Sequence, residues 1–240
     1  MNDRNMNDRN MNDRNVNDRN GTRIVLVPGA FRGAWMWDLV VPLLSDAGHR
    51  PVAIDLSGRP GLPVPRLADW IADVIAWCDD DPRSTVVVGH SMGGVVARAA
   101  TGVTNRIGRV VLLDAPVVES GRRAVDASGP VPAQLPPADT WLEPRPVGPE
   151  QGFESADLAA WVNERLVPTP LAPSLDRVDV DATVPMSVVF FDRTPSYFPS
   201  SMTRVDFDQR ALPYRSLDAH HDAPLLDPNA VARLIVESID

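Results

Sequence analysis

Thr85-Val86-Val87-Val88-Gly89-His90-Ser91-Met92-Gly93-Gly94 is the stretch on which the reading of this chain turns. Thr85 to Val88 is an unbroken run of the kind that fills a strand buried on both faces. After the glycines, Val95-Val96-Ala97-Arg98-Ala99-Ala100 reads as a helix. Between them Gly89-x-Ser91-x-Gly93 falls in the strand–turn–helix context of a nucleophile elbow. Such a turn holds its serine in a strained backbone conformation, and only small neighbours leave room for it, which accounts for Gly89 and Gly93. Ser91 then stands at the carboxyl end of a sheet and the start of a helix, where a developing negative charge meets free N–H groups. The plainer alternative is a glycine-rich turn with an incidental serine; the flanking strand and helix argue against it.

Working outward, 240 residues suit one domain with a sizeable core and an inserted lid. A formal charge of -9 argues against nucleic acid and anionic membranes, since both require a basic face. No apolar run approaches the roughly 18 residues of a membrane span, and no charged-then-apolar signal segment opens the chain. The single cysteine, Cys78, excludes an internal disulfide and fits a reducing compartment, so a cytoplasmic location is expected. It falls in a helical stretch and reads as a packing residue. There is no lysine; every basic side chain is arginine, as in proteins from GC-rich bacterial genomes. The sequence contains no metal-ligand cluster and no dinucleotide loop, so no cofactor is expected. The partner implied is a small-molecule substrate, with the chain a monomer or homodimer.

Residues 1–20 are four copies of one polar pentad, too short and too polar to bury a face, and read as a disordered tail. Arg23 to Val27 is a buried strand. It leads into Pro28-Gly29-Ala30-Phe31-Arg32-Gly33-Ala34-Trp35, the glycine-rich loop that could supply one amide of an oxyanion hole, from Ala30 in preference to Phe31, with Met92 giving the other. A mere tight turn is the alternative for that loop. Trp35 to Ala47 has helical spacing, Pro51 to Asp55 is the next strand, and a helix runs from Arg66 to about Asp80. Arg109 to Asp114 is the fourth core strand. From 117 to 180 prolines cluster and strands disappear, with one amphipathic helix over Ser155 to Leu166; this reads as a lid inserted in a core of residues 21–116 and 181–240. Trp141 and Trp161 in it, with Phe31, are candidates to line an apolar pocket, although Trp161 at helical spacing fits the lid's own core equally well. Met186 to Phe191 resumes the core, Tyr197 to Phe207 is ambiguous and can hold a helix, and Leu212 to Leu217 is the last strand before a helix from Pro228 to Ser238. Alternating buried strands and helices give an α/β fold with a mostly parallel sheet of about six strands.

A serine hydroxyl is a weak nucleophile until an imidazole takes its proton and a carboxylate orients that imidazole. Of four histidines, His49 precedes a strand at the wrong end of the sheet and His90 must point away from the serine at the elbow. His220 and His221 remain, in the loop after the last strand, and spacing alone does not divide them. For the acid, Asp192 follows an apolar strand upstream of the histidine and is chosen over Asp114, its main rival, which also ends a strand. Arg32 beside the oxyanion loop reads as a solvated surface residue in preference to a clamp on a substrate carboxylate.

Together these residues resemble the α/β-hydrolase superfamily, in the branch of plant methylesterases, salicylate-binding esterase and hydroxynitrile lyases and their bacterial esterase-like members. Val25 to Trp37 resembles the branch's His-Gly-Ala-x-x-Gly-x-Trp-x-Trp loop. Leu43 to Leu56 is similar to its next helix and strand, and Gly89 to Gly94 to its elbow. His221-Asp-Ala-Pro-Leu-Leu-Asp-Pro228 resembles its His-x-Ala-x-Leu-x-Glu-Pro ending, which favours His221. Arg165 to Leu171 is similar to a phrase of bacterial members. The likeness spans about residues 22–239 and implies an α/β-hydrolase fold with a small lid after the fourth core strand. Two departures stand out: Pro28 replaces the loop histidine, and Asp222 stands where the lyases carry a lysine, which argues against cyanohydrin cleavage.

The expected activity is therefore hydrolysis of a small or medium carboxylic ester through Ser91, His221 and Asp192. The alternative is a natural-product tailoring reaction (cyclisation, elimination or carbon–carbon cleavage) with the His/Ser pair as acid and base, and further off a ligand receptor without catalysis.

Overall fold

In the computed structural model, residues 21–127, 129 and 134–239 are described; the tail reading for residues 1–20 falls outside them. The apolar runs become strands. In chain order come β1 (Arg23–Val27), α1 (Val40–Asp46), β2 (Arg50–Ala53), α2 (Leu67–Ile75), β3 (Thr85–His90), α3 (Met92–Ala100) and β4 (Ile107–Leu113). Then follow β5 (Trp141–Leu142), α4 (Ala156–Asn163), β6 (Thr169–Pro170) and α5 (Ala172–Leu175). The last part holds β7 (Met186–Phe191), α6 (Pro199–Gln209), β8 (Arg215–Leu217), α7 (Ala223–Leu226) and α8 (Pro228–Ile239).

Six strands form one sheet in the order β2-β1-β3-β4-β7-β8, and every pairing in it is parallel. This is the α/β-hydrolase architecture the sequence implies. Side chains alternate between two buried layers, as a pleated strand requires. Val25, Val87, Val110 and Leu112 face the layer of α2 and α3; Ile24, Leu26, Val88 and Val111 face the layer of α1 and α8. With both faces covered, the inner strands β1, β3, β4 and β7 carry little polar alternation, which is why they read as apolar runs. From β1 the chain steps outward to β2, then back across β1 to β3 and onward to β4. The loops after β1 and β3 therefore diverge, and a crevice opens between them at the carboxyl ends of the strands. Pro28 to Gly33 and the Ser91 turn are the two lips of that crevice.

The structure departs from the periodicity in four places. The helix expected from Arg66 to about Asp80 ends at Ile75, so Cys78 lies just beyond it. Trp35 to Ala47 is not one helix: a 3₁₀ turn, Ala34–Trp37, precedes α1. Pro42 explains the break, because proline is tolerated in a helix's first turn and would clash with the carbonyl four residues back in its interior. The 3₁₀ turn buries Met36 and Trp37 completely. Strands do not vanish between 117 and 180, since β5 and β6 pair antiparallel; two-residue strands are too short to show a period of two. The last strand is only Arg215–Leu217, while the ambiguous stretch after Tyr197 holds α6. Cys78 is buried, its thiol against the Val74 carbonyl, and burial pushes that thiol up from its ordinary range. No helix among the described residues is long and apolar enough to cross a membrane.

Candidate active site

Ser91 joins β3 to α3 with φ 51° and ψ −125°, the strained conformation expected of the residue at an elbow. Its N–H is tied back to the Leu113 carbonyl at 3.1 Å. The flanking glycines are required by contact. A Cβ on Gly89 would lie 2.4 Å from the Gly93 carbonyl oxygen, and one on Gly93 would lie 2.4 Å from that of Pro28. A Cβ on Gly29 would come within 3.0 Å of the Ser91 Cβ and 2.9 Å of His90 Nδ1. The loop after β1 is thus pressed against the serine.

His221 Nδ1 lies 2.5 Å from Asp114 Oδ2. Asp114 directly follows β4 in a left-handed conformation, φ 45°, and is 1% exposed. The same oxygen accepts the Thr194 hydroxyl at 2.6 Å, and Oδ1 accepts the Phe191 N–H at 3.2 Å. Burial pushes the Asp114 carboxyl up; the hydrogen bond and charge of His221, with the bonds from Thr194 and Phe191, outweigh it and hold the group below the ordinary carboxylate range. An ionised carboxylate only accepts, so Nδ1 of His221 carries the proton and Nε2 is left as the ring's proton acceptor.

Asp192, the acid expected from the sequence, is not on this histidine. Its carboxylate accepts from Arg204 Nη1 at 2.7 Å. The reason is strand order: β4 adjoins β3, whereas β7 lies one strand farther out, about 4.8 Å more for each strand. His220 is also elsewhere, its ring lying against Gly152, where a Cβ would meet it at 2.6 Å. Among the described residues His221 alone of the pair bonds a carboxylate.

Two rings pack on His221: His90, with centroids 4.5 Å apart, and Phe198, at 4.3 Å. His90 is 1% exposed. Burial, followed by repulsion from His221, lowers its pKa to about 3, so it is neutral and its Nε2–H donates to the His221 carbonyl at 2.8 Å. The residue next to the elbow serine therefore supports the backbone of the histidine instead of serving as base. Arg32 is not a solvated residue. It donates from Nε and Nη2 to the two oxygens of Asp222 at 3.0 and 2.9 Å, with both side chains almost fully buried. Burial pushes the Asp222 carboxyl up, but Arg32 outweighs it and the net direction is down. This bidentate pair fastens the loop after β1 to the loop that carries His221.

The Phe31 amide donates to Thr169 Oγ1 at 2.6 Å. Among the described residues the Ala30 amide has no partner, and the Met92 amide, first in α3, can have none inside its helix. Ala30 and Met92 both line a cavity of about 210 Å³ whose aromatic walls are Trp35 and Trp70. None of the three aromatic residues expected to line a pocket lines this one: Trp161 packs edge-on behind Trp35, the Trp141 ring abuts Gly58, and Phe31 is held by its amide to Thr169, so each touches a lining residue from outside. A larger hollow of about 600 Å³, between α3 and α6, contains none of these groups. Among the described residues no cluster of His, Cys, Asp or Glu is placed to hold a metal ion.

The sequence model of the alpha/beta hydrolase family matches residues 24–234. The chain belongs to the α/β hydrolase family. Methylesterase 3 of Arabidopsis thaliana is 36% identical over 81 residues, 30% of each chain. The alpha-hydroxynitrile lyase of the same plant is 34% identical over 99 residues, 38% of each chain. These matches thus span about a third of each relative's length. The pyrethroid hydrolase of Sphingobium faniae superposes with a TM-score of 0.73 over 90% of this chain and 96% of its own, at 19% identity, a likeness of fold.

In this α/β hydrolase Asp114, weighed in the sequence only as the rival acid, is the partner of His221; the groups that sequence reasoning missed are Thr194 and Phe198 around that pair and the Arg32–Asp222 tie. Only Asp114 carried a local signal, an aspartate at the end of an apolar strand; the others depend on contacts between distant segments.

Proposed function

We propose that the protein hydrolyses a small or medium carboxylic ester through an acyl-enzyme on Ser91. The observation that carries this is the buried Asp114–His221 pair, 2.5 Å long, at the carboxyl end of the strand next to the elbow. Ser91 Oγ attacks the ester carbonyl as Nε2 of His221 takes its proton. Asp114 holds the tautomer and stabilises the imidazolium that forms. The amides of Ala30 and Met92 receive the oxyanion, and each such donor is worth about 10²–10³ in rate. Collapse expels the alcohol, which takes the proton back from His221. A water deprotonated by the same imidazole then releases the acid and regenerates Ser91.

The segment 117–180 acts as the lid of this site. Its support is two hydrogen bonds to the backbone of the oxyanion loop, from the Val167 N–H to the Phe31 carbonyl at 3.2 Å and from the Phe31 N–H to the Thr169 hydroxyl, and the Trp35–Trp161 contact. Asp222, buried on Arg32 directly after His221, favours ester hydrolysis over α-hydroxynitrile cleavage, for which the resemblance calls for a lysine.

Turnover of p-nitrophenyl acetate, butyrate and octanoate tests the proposal, with Ser91→Ala and His221→Ala in parallel. Hydrolysis by the wild type that both substitutions abolish is expected. Hydrolysis that survives Ser91→Ala contradicts the nucleophile.

A further inference from the structure

The cavity beside Ala30 and Met92 is lined by three arginines, Arg32, Arg59 and Arg165, and by one carboxylate, Asp55. That lining is cationic in a chain whose formal charge is -9. The three cations are engaged to different degrees. Arg32 gives two donors to the buried Asp222 and stays within the scaffold. Arg165 lies over the Trp161 ring at 4.1 Å and donates Nη1 to the Trp161 carbonyl. Its nearest carboxylate contact is Glu164 at 3.9 Å, a side chain 77% exposed, and Asp38 feels its charge from farther off. Arg59 donates Nη1 to the Gly58 carbonyl at 2.7 Å, and among the described residues no carboxylate pairs with it. Asp55 turns its Oδ1 to the Ala34 N–H at 2.8 Å.

Two guanidinium groups therefore line the cavity with donors unspent, directly beside the two amides of the oxyanion hole. A guanidinium fork matches a carboxylate. At about 210 Å³ the space is below the roughly 300–1,000 Å³ of pockets for drug-sized ligands, so the ligand is small. We propose that the ester taken by this site carries a free carboxylate, as in a half-ester of a small dicarboxylic acid, held by Arg59 and Arg165. This rests on the ester-hydrolase reading of Ser91.

Two measurements keep the two claims apart. The first is calorimetric binding of monomethyl glutarate and of uncharged dimethyl glutarate to the Ser91→Ala protein, which needs no catalysis. The half-ester is expected to bind about five- to tenfold tighter, from two partly exposed ion pairs of ordinary strength. That preference should shrink with added salt, fall partway in Arg59→Gln, a change at an exposed side chain that leaves the fold undisturbed, and fall toward one in Arg59→Gln/Arg165→Gln, whose fold is checked by circular dichroism. Equal binding of the two esters, tighter binding of the diester, or no binding of the half-ester at millimolar concentration would overturn the proposal. The second is turnover of both esters by the wild type, where kcat/KM should favour the half-ester by a similar factor. If the half-ester binds preferentially but neither ester is cleaved, the hydrolase reading fails and the carboxylate site stands.

Discussion

Replacing Asp114 by Asn separates this catalytic arrangement from the one the sequence alone suggests. The carboxylate is 1% exposed and accepts three hydrogen bonds, from His221, Thr194 and Phe191. An asparagine can keep the Phe191 bond through its oxygen, which turns its NH₂ toward His221. The imidazole must then accept at Nδ1 and carry its proton on Nε2. In that tautomer it cannot take the proton of Ser91. The same change in a protease with a Ser-His-Asp triad costs about 10⁴ in kcat, equivalent to about 5.5 kcal/mol of transition-state stabilisation. A loss of about 10³–10⁴ in kcat on p-nitrophenyl butyrate is expected here, with the fold retained because the substitution is isosteric. Asp192→Asn is the control. It removes a partly exposed pair with Arg204, worth at most about 1 kcal/mol of stability, and should leave kcat within about twofold. If Asp192→Asn abolished activity while Asp114→Asn kept it, the assignment would be refuted.

Removing Arg32 by Arg32→Ala leaves the Asp222 charge buried and alone, which should cost about 3–5 kcal/mol in urea unfolding, with part recovered in Arg32→Ala/Asp222→Ala. Gly93→Ala drives a Cβ to within 2.4 Å of the Pro28 carbonyl oxygen and 2.6 Å of that of Val27; destabilisation of about 1–3 kcal/mol and loss of esterase activity should appear together. His90 has its pKa lowered to about 3 while the unfolded side chain titrates near 6.5. The unfolded state alone binds the proton between those values, so stability falls as pH drops below about 6.5, by up to tenfold in the unfolding constant per pH unit. His90→Gln should flatten that segment of the stability–pH curve. Asp114 and Asp222, both held below the ordinary range, act in the same direction at lower pH: their contribution is present above about pH 4 and is lost as the native groups take up protons.

The elbow was legible because its constraints are local. Gly89, Ser91 and Gly93 lie within five residues, between a strand and a helix that declare themselves by composition. The inner strands were legible for the same reason, β1, β3, β4 and β7 being short runs that are mostly buried, whereas the edge strand β8 is largely exposed and its bounds were read too long. What was not legible depends on which strands become neighbours. Asp114 and Asp192 both follow apolar strands, and only the order β3-β4-β7 sets one of them beside the histidine. His220 and His221 are adjacent in sequence, so their division came from the likeness of the His221 ending and not from spacing. Arg32 and Asp222 stand 190 residues apart, and a pattern that sees charge without burial reads Arg32 as solvated. The 3₁₀ turn before α1 could have been found, since Pro42 forbids a helix that begins at Trp35.

The most direct test of the central claim is to trap the acyl-enzyme. The protein is mixed with excess p-nitrophenyl acetate, quenched in acid within the first turnovers and digested, and the peptide containing Ser91 is weighed. One acetyl group on Ser91, with a matching burst of nitrophenolate and neither signal in Ser91→Ala, is the result predicted. Steady hydrolysis with Ser91 unmodified, or acetylation of another residue at the rate of turnover, would contradict it.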